Sequence, residues 1–179
     1  MNLFFFTFTT SVLLLLMGLV LISKSSKIEE IIRTLIRSDM CAVIFLIIGL
    51  FWFLSHHVQN LGEADFGEYK FMIGVIGVFI AVASYFFIND FLAVRAASII
   101  ILFYSRLALD AAFLQEPQSR LFLVSIIYLM IFAALYFGAW PYRMRDSLDW
   151  LYQNAKRSKM LGFSLIVYSF VLAGVSFTY

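Results

Sequence analysis

This chain has one cysteine, Cys41, and two prolines among 179 residues, and no charged residue precedes Lys24. The lone cysteine excludes an intramolecular disulfide and any metal cage built from cysteines. The scarcity of proline leaves room for long unbroken helices, because a proline inside a helix removes a hydrogen bond and kinks the chain. No charged tail, Gly/Ser linker or Pro-rich stretch interrupts the sequence. Residues 1–179 are therefore expected to form a single integral membrane domain without a soluble module for catalysis or nucleic-acid binding. A secretory signal has basic residues ahead of its apolar core. Here the first basic residue follows that core, so the first helix is expected to be retained.

Charge is also sparse. Only 13% of residues are charged and 63% are hydrophobic, including 21 phenylalanines, whereas an ordinary soluble domain is about 45–50% apolar and about 25% charged. A 179-residue core cannot hide that much apolar surface from water, and the mean hydropathy of +0.95 points the same way. The expected fold is all-α: a polytopic transmembrane bundle of about six helices with two cytoplasmic amphipathic surface helices. About 20 apolar residues are needed to cross roughly 30 Å of hydrocarbon. Runs of that length mark spans over residues 3–22, 40–58, 71–88, 91–114, 121–140 and 160–178. The second is the shortest, since its uninterrupted apolar part ends at Leu54. Ile88, Asn89 and Asp90 allow only a tight antiparallel hairpin between the third and fourth.

The basic residues set an orientation. Residues 24–39 carry Lys24, Lys27, Arg33 and Arg37, and residues 141–159 carry Arg143, Arg145, Lys156, Arg157 and Lys159. Six spans put both segments on one side, and the other side holds only Lys70 and Arg120. By the positive-inside rule the basic side is cytoplasmic and both termini lie outside. A bacterial-type inner membrane is the expected location.

Each basic segment has a helical pattern. Ser26 with Glu29 has capping-box spacing, and Ile28, Ile31, Ile32, Leu35 and Ile36 then form one apolar stripe. Glu29 and Arg33 are a favourable i, i+4 pair. This first surface helix is expected over residues 26–38. A second, with Met144, Leu148, Leu151, Tyr152 and Ala155 on its apolar side, is expected over 144–156. A shift of 120 residues lays Arg37-Ser38-Asp39-Met40 on Arg157-Ser158-Lys159-Met160 and Glu29 on Asp149. Lipid or interface anchoring is the expected role of the nine basic residues, through anionic headgroups.

Three charges stand inside the fourth span: Arg95, Arg106 and Asp110. An ionised side chain at the middle of a bilayer costs roughly 2.5–3.5 kcal/mol on insertion scales and normally has a partner or a task. At about 100° per residue, Arg106 lies about 20° from Arg95 around the helix and Asp110 about 60° from it, so all three project to one side. Arg95, one turn from the cytoplasmic end, is expected to snorkel to lipid phosphates. Arg106 and Asp110, at i and i+4, are expected to form an intramembrane ion pair that orients this helix in the bundle.

Other chemistry is thin. His56 and His57, at the outer end of the second span, are weak candidates for a metal site with Glu63, Asp65 or Glu68. A haem held by two histidines needs them on facing elements, and adjacent residues diverge by about 100°. No GxSxG, HExxH or phosphate-binding loop occurs, and no catalytic residue or resident cofactor is expected. The expected function is that of a non-catalytic subunit, assembly factor or docking component of a membrane complex, with other membrane subunits or further copies of itself as partners. The alternative is a small oligomeric transporter or channel that uses the polar face of the fourth span.

Overall fold

The structure, a computed structural model, describes residues 3–23, 26–62, 66–87, 91–116 and 118–179, with backbone alone for 26 and 27. Lys24, the side chains of Ser26 and Lys27, Glu63, Asp65 and the 88–90 turn lie outside the described residues.

Eight α-helices follow one another: α1 (Leu3–Ile22), α2 (Ser26–Arg37), α3 (Asp39–Trp52), α4 (Lys70–Phe87), α5 (Leu92–Ala112), α6 (Arg120–Ala139), α7 (Tyr142–Tyr152) and α8 (Ala155–Ser176). A π-helical turn, Phe53–Val58, prolongs α3, and a 3-10 turn, Gly67–Tyr69, leads into α4. Among the described residues six elements are long and apolar enough to cross a bilayer: α1, α3 with its π turn, α4 with its 3-10 turn, α5, α6 and α8. At about 1.5 Å per residue each spans close to 30 Å. The chain is a multi-pass membrane protein.

In such a protein the outward apolar side chains meet lipid, so burial is concentrated where helices approach closely. The axis of the packing is α5, with α6 and α3 against it and α1 touching it. Its alanines 93, 96, 108, 111 and 112 are all buried, which permits that crowding. The main core cluster joins Leu3, Phe6 and Leu14 of α1, the last alanines of α5, Leu123, Ile126 and Ile127 of α6, and Leu172 of α8. By contrast α4 has no buried residue and lies at the rim. Its small residues do serve close packing: a β-carbon on Gly77 would stand 2.7 Å from the Phe53 ring.

The closest approach lies between the first and last spans. Gly18 and Gly162 face each other, and Ser158 Oγ and Ser169 Oγ donate to Leu21 O and Ser11 O, each at 2.7 Å. Thr10 Oγ1 lies 2.7 Å from Tyr104 OH, which ties α1 to α5 as well. Serine and threonine in hydrocarbon must find such partners, since no water is there to supply them.

Most span boundaries fall within two residues of the sequence expectation, and a larger difference lies around the start of the last span. The second surface helix ends at Tyr152 rather than 156, and the last span starts at Ala155 rather than 160. Asn154, in an extended conformation, accepts a hydrogen bond from Lys156 N at 2.9 Å and caps a new helix there. Lys156, Arg157 and Lys159 therefore stand on the first turns of α8. Ser38 performs the same task for α3, accepting from Cys41 N at 3.3 Å. Its counterpart at the 120-residue offset, Ser158, instead bonds α1, so the two segments do not repeat in detail.

Candidate functional site

The short helices α2 and α7 meet at one end of the bundle. Arg33 of α2 binds Glu29, four residues before it, with Nε and Nη2 at 3.0 and 2.8 Å from one carboxylate oxygen, and also binds Asp149 of α7. This contact puts both basic segments on the same side, as an even number of intervening spans requires. The two carboxylates that share Arg33 are the pair that the 120-residue offset superimposes. Asp149 first, and then Glu29, hold the Arg33 guanidinium above the ordinary arginine value through these hydrogen bonds. A mixed-charge cleft of about 940 Å³ opens beside this link.

The remaining basic residues expected to anchor lipid take separate positions. Arg37 lies over the Phe91 ring, 5.8 Å from its centre, and Arg143 lies over Tyr142 at 5.7 Å. Arg145 pairs with Asp146 at 3.0 Å. Arg157 folds back on α7, donating to Trp150 O at 3.1 Å and stacking on the Trp150 ring at 4.5 Å. It thereby caps a helix end whose carbonyls lack partners. Lys156 and Lys159 are exposed on α8. At the other end of the bundle Lys70 and Arg120 likewise cap carbonyls, those of Gln59 and Ala112.

The fourth span carries its charges in two settings. Arg95 is half-buried, flanked along the helix by the buried Leu92, Ala93, Val94 and Ala96, and its Nε is buried without a partner among the described residues. Arg106 and Asp110 stand as an i, i+4 pair, with Nε 3.9 Å from Oδ2. That distance is an ion pair and too long for a hydrogen bond. Their side chains are 63% and 65% exposed. The pair thus stands on the outside of the chain's own bundle, while the opposite face of α5 holds buried Ser105, Ala108 and Ala111. Arg106 lies six residues before the helix end, about 9 Å in at 1.5 Å per residue.

No protein-family model, curated protein or solved structure matches this chain.

Both histidines belong to the π turn after α3, where Gln59 N bonds back five residues to Leu54 O. Such turns insert a residue into the helical ladder and recur at functional sites. His57 packs 4.7 Å from the Phe103 ring of α5, and Arg106 lies within electrostatic range of it. His57 Nδ1 is buried and unpartnered among the described residues. The histidine rings stand 6.2 Å apart and are tilted by 68°. His57 thus lies in the seam of α3 and α5, at the same end of the bundle as the outward-facing Arg106–Asp110 pair. Charge counting located Arg106 and Asp110. The π turn carries no sequence signature that could have joined His57 to them.

Proposed function

We propose that this protein is a non-catalytic component of a membrane complex, a subunit or docking element, that engages its partner through the face of α5 bearing Arg106 and Asp110. The supporting observation is the exposure of that pair on an element long and apolar enough to span the bilayer. Lipid chains offer an ion pair no hydrogen bonds, and at 3.9 Å the two groups satisfy each other poorly. A polar group on a neighbouring transmembrane helix removes that deficit. A bacterial inner membrane with the basic side cytoplasmic is the setting that the charge bias favours, and anionic headgroups are the lipid partners on that side.

The transporter reading needs the pair to line a path. In one chain the pair points away from the bundle, so such a path requires a second copy across the same face. One experiment separates the two. Purification in a mild detergent is compared for the wild type and an Arg106→Leu/Asp110→Leu variant. The component reading expects a different protein in fixed stoichiometry with the wild type, lost from a variant that still inserts and folds. A homo-oligomer that conducts, and stops conducting in the variant, would replace it with the transporter reading.

A further inference from the structure

The geometry points to a discrete binding site for one anionic glycerophospholipid in the groove between the end of α1 and the start of α8. The groove is shallow and open, with a volume of about 630 Å³, and is lined by Ile22, Ala155, Lys156, Lys159, Met160 and Phe163. Lys156, Lys159, Met160 and Phe163 fall at i, i+3, i+4 and i+7, so they share one face of α8. Along that face the order is chemical. Two ammonium groups come first, at the membrane boundary, and an apolar surface follows, reaching Phe163 about 10 Å deeper at 1.5 Å per residue.

Met160 and Phe163 are each 65% exposed, so this apolar surface awaits a covering chain. The groove's wall is fixed by the Gly18–Gly162 approach and by Ser158 Oγ on Leu21 O at 2.7 Å. No acidic side chain lines the groove among the described residues. A lysine presents a compact point charge on a flexible stem, which suits a phosphate that arrives with its own orientation. Phosphodiester above and acyl chain below match this arrangement, and a soluble anion would leave the apolar half bare. The site rests on the anionic-headgroup part of the proposed function and is independent of the complex-component part.

Native mass spectrometry of the full chain, titrated with phosphatidylglycerol or phosphatidylcholine, tests it. The expected result is one phosphatidylglycerol adduct that forms well before any second, ahead of phosphatidylcholine in direct competition. Lys156→Gln/Lys159→Gln should weaken that first adduct about 30-fold, from the usual contribution per basic residue at an anionic surface. Arg143→Gln/Arg145→Gln removes the same charge from the same side and should leave it unchanged. Glycerol phosphate alone should not compete. Equal weakening by both double variants, equal binding of phosphatidylcholine, or full competition by glycerol phosphate would each overturn the site. The wild-type lipid competition decides the matter even where a variant fails to fold.

Discussion

Gly18 and Gly162 meet backbone to backbone: a β-carbon on either would stand 2.8 Å from the other's carbonyl oxygen. The first and last spans are held together at this point, and main chain cannot yield as a flexible side chain can. Gly18→Ala and Gly162→Ala should each cost about 1–3 kcal/mol, the usual effect of overpacking. Gly174→Ala, where nothing lies within 4 Å, should be silent. Unfolding in micelles, followed by circular dichroism against added SDS, measures all three.

The Arg33–Asp149 link joins α2 to α7, but its side chains are 39% and 44% exposed. Solvent screening limits it to below about 1 kcal/mol. A double-mutant cycle with Arg33→Gln and Asp149→Asn should return a coupling of that size. Arg33→Asp combined with Asp149→Arg should recover part of it. Because Arg33 is held above the ordinary arginine value, its contribution is complete below that ordinary value and fades only at still higher pH. No alkaline loss from this group is expected under conditions the protein survives.

Tyr152, at the end of α7, follows the same direction within an accessible pH range. Burial pushes its phenol above 10, and Glu29 adds to the shift. The folded state then favours the neutral phenol, so this stabilising term is complete below pH 10 and is lost as pH rises through the higher folded value. Its hydroxyl is also buried without a partner among the described residues. Tyr152→Phe should therefore match or exceed the wild type in thermal stability at neutral pH and lose less of it in alkali. An equal alkaline loss in both proteins contradicts this.

Leu114 holds φ 55°, a left-handed conformation that costs a residue with a β-carbon about 1–2 kcal/mol. Its side chain is 78% exposed, so little packing is lost on removing it. Leu114→Gly should raise stability by about 1 kcal/mol. Phe113→Gly, at φ −66° and ψ 130°, gains no such relief and should destabilise. Chemical unfolding of the two variants side by side decides the point.

The spans were legible because the bilayer acts as solvent: apolar length alone reports them, with no need to know a neighbour. The early start of α8 was missed because Lys156, Arg157 and Lys159 look like a loop, although the Asn154 cap permits a helix there. Sequence also gives the direction in which Arg106 and Asp110 leave their helix, but not what lies in that direction. Only the packing of α3 and α6 on α5 decides that the pair faces outward. The α1–α8 pairing left a trace in the seven-residue spacing of Gly162, Ser169 and Ser176. Without the facing helix that spacing names no partner.

Site-specific photo-crosslinking from position 99, exposed two turns before Arg106 on the same face of α5, tests the central claim most directly when done in the native membrane. The account predicts a single adduct of fixed mass with a different membrane protein, lost when Arg106 and Asp110 are both replaced by leucine. Crosslinks to lipid alone, with the chain isolated as a lone monomer, would contradict it.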